Sequence, residues 1–213
     1  MAALRKTVLS HRFVFTLLSQ KCKHVIPSAS AMSRKNYSTV VEDEEKYDII
    51  ITGGGMIGAT LACAIGNNRR LEGKKVLLLE SNAKQEYTSQ EQYSNRVVAL
   101  NQQTRTLLSS LGAWQHIEAV RYCPVRSMQV WDACSDAMIT FNEDHLSEEL
   151  AYIVENDLVL HAVNTQLSQK QNVTVIYESK IIDVKLPKTS TEFASVQLQT
   201  GRRYAARLLV SIE

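Results

Sequence analysis

The sequence predicts an α/β fold: a Rossmann-like βαβ unit, then an antiparallel β meander and the start of a further β-sheet. Three observations carry the prediction. Residues 46–80, KYDIIITGGGMIGATLACAIGNNRRLEGKKVLLLE, set a G-x-G-x-x-G turn (Gly53, Gly55, Gly58) between an apolar run at 47–51 and a helix-length apolar run at 60–65. A second apolar run, 76–79, ends in an acid, Glu80, 22 residues past Gly58. Beyond residue 172, short strand-like segments follow one another with turn residues rather than helices between them.

Each part of the first unit has a physical role in gripping a dinucleotide. Gly53 permits the tight turn out of the strand. Gly55 lacks a side chain, so a pyrophosphate can approach the backbone there. Gly58 lets the helix pack close to the sheet, as do Ala62 and Gly66 further along. The helix N-terminus offers N–H groups and a partial positive charge to phosphates. Glu80 is placed to accept hydrogen bonds from a ribose diol, and its charge would repel the 2′-phosphate of NADP. The alternative is an ordinary strand–turn–helix with a crowded turn; the flanking strands and the terminal acid favour the nucleotide.

The 213 residues suffice for one substantial core, or one domain and part of another. No uninterrupted apolar run reaches the ~18 residues of a spanning helix, so no transmembrane segment is expected. The four cysteines, Cys22, Cys63, Cys123 and Cys134, form no C-x-x-C and have no matching histidine spacing. That argues against a zinc site or a disulfide framework. Cys63 reads as a small core residue and Cys134 as part of a turn.

The net charge of +2 hides an asymmetry: residues 1–40 carry seven Lys or Arg and no acid, leaving 17 basic and 22 acidic side chains beyond them. With Leu4, Val8, Phe15 and Leu18 at helical spacing and frequent serine, residues 1–40 read as a mitochondrial targeting segment; a disordered basic tail is the alternative. The remainder is mildly acidic, and no basic patch points to nucleic acid.

Residues 41–45 read as an acidic linker and 81–94 as a surface loop. Arg96 stands between that loop and the apolar run 97–100. Its guanidinium suits a pyrophosphate or a flavin edge, and a solvated surface arginine is the equal alternative. A helix is expected over 103–111, with Leu107, Leu108 and Leu111 on one side and Gly112 as its stop. Residues 128–132 and 137–141 read as two strands joined through Cys134 and Ser135, the beginning of a second sheet. Residues 142–150 read as acidic loop. A helix is expected over 154–167, with Glu155 and Asp157 in its first turn. Strands follow at 173–177, 180–186, 195–199 and 208–211, with Thr200-Gly201 as a turn. His116, His145 and His161 are scattered, and surface or helix-packing roles suit them. No catalytic triad, paired catalytic carboxylates or metal cluster can be assembled, so a bound cofactor would supply any chemistry.

The segments YDIIITGGGMIGATLACAIG, KKVLLLE, YSNRVVAL, LLSSLGAW, MQVWDACSDAMITF, YIVENDLVLHAV and VQLQTGRRYAARLLV together resemble the aromatic-ring flavin monooxygenases, and among them the ubiquinone-biosynthesis hydroxylases. The resemblance spans about residues 47–210. It implies an FAD enzyme that hydroxylates the aromatic ring of a polyprenylated phenol. Electrons would come from NAD(P)H, directly or through a ferredoxin-type donor. It also implies a mitochondrial matrix location peripheral to the inner membrane, with other ubiquinone-biosynthesis proteins as partners. Gly53, Gly55, Gly58 and Glu80 would hold the ADP half of FAD. Arg96 would meet the flavin side, and Asn156 would be a further flavin contact.

Residues 41–213 would then be an incomplete FAD-binding domain, with 121–150 opening the substrate-domain sheet. In the family, a strand like Arg207-Leu208-Leu209-Val210 runs into Gly-Ala-Asp-Gly; here it runs into Ser211-Ile212-Glu213. The expectation is a C-terminally truncated chain, inactive as a hydroxylase by itself. A non-catalytic binding module is the alternative. An NAD-dependent dehydrogenase is a third reading, without an acid–base set to support it.

Overall fold

The computed structural model describes residues 44–88, 93–142 and 149–212. The targeting segment expected over 1–40, together with Cys22 and His145, lies outside the described residues. Strand β1 (Glu45–Thr52) is followed by helix α1 (Met56–Asn67), a 3-10 turn at Arg69–Leu71, and β2 (Val76–Leu79). Then come β3 (Val97–Asn101), α2 (Gln102–Ser110), α3 (Trp114–Val120), β4 (Cys123–Val125), β5 (Ser127–Trp131) and β6 (Met138–Asn142). The remaining elements are β7 (Ala151–Glu155), α4 (Asn156–Leu167), β8 (Val173–Ile176), β9 (Ile181–Lys185), β10 (Ala194–Leu198) and β11 (Arg203–Ser211).

Six strands form the main sheet in the order β8-β2-β1-β11-β10-β9. β8, β2, β1 and β11 run parallel, and β10 and β9 continue antiparallel. All four residues of β2 are buried, as expected for a parallel strand covered on both faces, which reads as a continuous apolar run. On one face, Ile51, Val76 and Leu78 pack with α1 (Ala59, Ala62, Cys63) and α4 (Leu158, Ala162, Val163). On the other, Ile50, Leu77 and Leu79 pack with Val196, Leu198, Tyr204 and Ala206 of the meander. The close approach of α1 has a steric basis at Gly66, where an added Cβ would lie 2.9 Å from Val173 Cγ2 and 3.0 Å from Lys170 Cβ.

A three-stranded sheet, β3-β7-β4, is antiparallel throughout. Here the structure corrects the expected helix over 154–167. Val154 and Glu155 are the end of β7, and α4 begins at Asn156. Ala151, Tyr152, Val154 and Glu155 are all buried, so the strand lacks the alternation that would distinguish it from a helix turn.

Helix α2 is capped by Asn101, whose side chain accepts from the Thr104 N–H at 2.8 Å. It stops before Gly112, which has φ +78°. Leu108 and Leu111 are buried, but Leu107 is 44% exposed, so it does not share their face as expected. Helix α3, not anticipated from the sequence, packs Trp114 and Ile117 into the core.

β5 and β6 pair only with each other among the described residues. Asp132 shapes their turn by accepting from the Cys134 N–H at 3.0 Å and the Ser135 hydroxyl at 2.7 Å. Every residue of β5 is exposed, including Trp131 at 71%.

Candidate nucleotide site

The glycine turn leaves β1 at Gly53, whose N–H donates to the Leu79 carbonyl at 2.9 Å, tying the turn to the end of β2. Gly53 has φ +98°, a region that L side chains avoid, and a Cβ there would collide with the Ile212 carbonyl. A Cβ on Gly58 would collide with the Gly53 carbonyl. These two glycines are demanded by the fold itself.

Gly55 differs. It is exposed, its φ is −66°, and a Cβ there would meet no atom within 4 Å. It precedes the first turn of α1, where no side chain caps the helix and no acid is present. The absence of a side chain at Gly55 therefore keeps open the space over the helix N-terminus, where main-chain N–H groups can meet an anion.

Glu80 lies beside this turn. Its Oε2 accepts from the Gly54 N–H at 2.6 Å, and its Oε1 accepts from the Asn82 N–H and side-chain amide at 2.8 Å and from the Ser81 hydroxyl at 3.3 Å. Burial pushes the carboxyl up, but the N–H groups of Asn82 and Gly54 outweigh it and hold the group below the usual carboxylate range. Oε2 carries one hydrogen bond against three on Oε1, so it is the oxygen with capacity left for a ligand hydroxyl. Gly54 also matters sterically: a Cβ there would lie 2.8 Å from Glu80 Cβ. The G-x-G-x-x-G pattern assigns that middle glycine no role, although the triple glycine is visible in the sequence.

Arg96 and Asn156 form a second group. The Asn156 N–H donates to the Arg96 carbonyl at 3.0 Å, just beyond the pairing of Val97 with Glu155. The Arg96 side chain is exposed. Asn156 Oδ1 is buried without a hydrogen-bond partner, an acceptor suited to a ligand O–H or N–H.

Beside them sits an ion pair between a buried carboxylate and a part-exposed guanidinium. Glu155 is 6% exposed. Arg121 Nε donates to its Oε2 at 2.7 Å and Arg121 Nη2 to its Oε1 at 3.1 Å, while the Ser94 N–H also donates to Oε1. The Arg121 guanidinium holds the Glu155 carboxyl below its ordinary range, against the effect of burial and with help from Ser94. The pairing joins residues 34 apart, so no local pattern marks it. A hollow of about 420 Å³ lies alongside, between residues 85–88 and α4, where the Tyr87 ring stacks on His161 at 4.9 Å. His116 Nε2 meets Gln166 Nε2 of α4 at 2.9 Å, a helix-packing contact. Cys63 is fully buried and its thiol is pushed up by that burial.

A glycine turn open at one position, beside a strand-end carboxylate in a parallel sheet with an antiparallel meander, defines a Rossmann-like nucleotide-binding fold. Solved structures share it. Those of p-nitrophenol 4-monooxygenase PnpA from Pseudomonas putida DLL-E4 (TM-score 0.59, 15% identity, 79% of this chain and 41% of that one) and PqsL from P. aeruginosa with 2-aminobenzoylacetate (0.58, 18%, 78% and 42%) are similar. So is the flavin-dependent monooxygenase PieE, solved with FAD and substrate (0.56, 15%, 77% and 29%). No family model matches the chain. Among curated proteins, it is 42% identical over 174 residues to the mitochondrial ubiquinone biosynthesis monooxygenase COQ6 of Xenopus tropicalis, covering 78% of this chain and 37% of that protein. The Drosophila melanogaster COQ6 protein is 39% identical over 183 residues, covering 85% and 38%. By sequence the chain is similar, over most of its own length, to the ubiquinone biosynthesis monooxygenases. It spans rather more than a third of the length of these relatives.

Proposed function

We propose that this chain provides the FAD-holding part of a monooxygenase that hydroxylates the aromatic ring of a polyprenylated phenol in ubiquinone biosynthesis. The observation that carries the reading is the open position at Gly55 beside Glu80. Gly53, Gly55 and Gly58 shape the turn for the pyrophosphate, and Glu80 Oε2 accepts from the adenosine ribose. Arg96 meets the flavin side with its exposed guanidinium, and Asn156 Oδ1 accepts from a cofactor hydroxyl or N–H. The free acceptor on Asn156 and the open space at Gly55 both fit FAD. When bound, FAD supplies the redox chemistry of hydroxylation with molecular oxygen, while the protein binds, orients and excludes water.

Residues 41–213 belong to the FAD-binding domain in this reading, and 121–150 open the substrate-side sheet. Reducing equivalents come from NAD(P)H or a ferredoxin-type donor. The protein works in the mitochondrial matrix, peripheral to the inner membrane, with other ubiquinone-biosynthesis proteins.

The test is to titrate the purified chain with FAD and record flavin absorbance and fluorescence, with Gly55→Val as the comparison. Stoichiometric binding that the variant loses while keeping its fold supports the reading. Failure of the wild-type chain to bind FAD, or equal binding by the variant, counts against it.

A further inference from the structure

We infer that Glu155 and Arg121 are a positioning pair that sets Arg96 and Asn156 for the flavin end of the cofactor, an inference that rests on the FAD reading above. Among the described residues Glu155 is the one buried carboxylate. Burying a charge is unfavourable unless it is paired and hydrogen-bonded, and well-packed apolar residues in the same place are often at least as stable. Stability alone is therefore a poor reason for this pair. Its location supplies a better one.

The pair joins three separate segments. Arg121 is the residue that ends α3, itself anchored by buried Trp114 and Ile117. Glu155 is the last residue of β7 and directly precedes Asn156. Ser94 lies two residues before Arg96, and its N–H donates to Glu155 Oε1. The Ser94 hydroxyl in turn accepts from the Arg96 N–H at 3.3 Å. The Arg96 carbonyl accepts from the Asn156 N–H at 3.0 Å. Both flavin-side residues are thus within a few bonded links of one carboxylate. The Tyr93 ring lies 4.6 Å from the Arg121 guanidinium, which steadies the same approach to Ser94.

Neither member of the pair needs to touch the cofactor. With the carboxylate removed, residues 93–96 lose their tie to β7, and the Arg96 guanidinium and Asn156 amide lose a common frame. The ADP half, held by the glycine turn and Glu80 on the β1–β2 side, does not depend on that tie.

The experiment compares FAD with ADP on the full chain, together with the visible circular dichroism of bound FAD. Glu155→Ala and Arg121→Ala should each weaken FAD binding about tenfold or more, as loss of a supporting hydrogen-bond partner does elsewhere, with ADP affinity held within about twofold. The flavin dichroism should change in both. The double variant should be no weaker than either single one, because the two residues act as a unit. Glu155→Gln, which keeps an acceptor for Ser94, and Arg121→Lys, which keeps charge without the fork, should fall between. These conservative variants carry the test if the alanine variants do not fold. Unchanged FAD affinity, or equal losses of FAD and ADP, would overturn the pair and leave the FAD reading standing. A wild-type chain that binds ADP but not FAD, or neither, would overturn both.

Discussion

The Gly54 N–H donates to Glu80 Oε2 at 2.6 Å, joining the middle of the glycine turn to the acid at the end of β2. The carboxylate is therefore held in place before any ligand arrives, and its orientation does not have to be fixed on binding. Glu80→Ala should weaken FAD binding by on the order of 1–3 kcal/mol, roughly 10- to 100-fold, with calorimetric titration as the measurement. ADP should lose affinity in parallel, because the proposed contact of Glu80 is with the ribose that FAD and ADP share. Adenosine 2′,5′-bisphosphate should bind wild type more weakly than ADP, and an order reversed between them would remove Glu80 from the ribose.

The three glycines of the motif should separate in experiment. Gly55→Val enters open space and should keep the melting temperature while lowering FAD affinity on the order of 100-fold, since each tenfold is about 1.4 kcal/mol. Gly58→Val meets the Gly53 carbonyl and should destabilise the fold by about 1–3 kcal/mol or more, as overpacking does. Thermal melts alongside flavin absorbance distinguish the two, and equal melting losses in both would refute the distinction.

Acid should unpick the Glu155 clamp in a defined direction. The folded-state pKa of Glu155 is depressed by Arg121. Its contribution to stability is therefore present above the unfolded value of roughly 4.3 and is lost as pH falls through the lower folded value. Glu155→Gln lacks that titration. Its melting temperature should lie a few degrees below wild type at neutral pH, with the gap closing as acid protonates the folded carboxylate. A gap that stays constant across the range would mean the carboxylate is not held by its charge.

Leu78 and Leu107 offer a test of core against surface. Leu78 is 1% exposed in β2 and Leu107 is 44% exposed on α2. Leu78→Ala should cost about 2–5 kcal/mol. Leu107→Ala should stay within about 0.5 kcal/mol of wild type in denaturant titration. A large loss at Leu107 would put that side chain in the core after all.

The parts of the fold legible in the sequence were those whose demands are local. β1, the glycine turn, α1 and β2 announce themselves because positive φ, close packing and continuous apolar runs each leave a mark on neighbouring residues. β7 did not, because Ala151, Tyr152, Val154 and Glu155 are buried together and merge into the helix that follows. Leu107 was misplaced by one helical face, since three leucines at 107, 108 and 111 do not by themselves say which two turn inward. At the site, the proximity of Glu80 to the glycine turn could be anticipated from spacing. The partnership of Glu155 with Arg121 could not, because it exists only once α3 and β7 have been folded against each other.

The pairing of β1 with β11 carries a consequence for how the chain is made. Thr52 and Ser211 share a hydroxyl hydrogen bond at 3.1 Å across 159 positions of sequence. At typical synthesis speeds of about 5–20 residues per second, roughly 8–30 s separate the emergence of the two strands from the ribosome. Throughout that interval the growing chain holds an apolar strand whose second neighbour has not yet been translated. That nascent edge is a site where a chaperone would be needed, and where slowed elongation would be felt first.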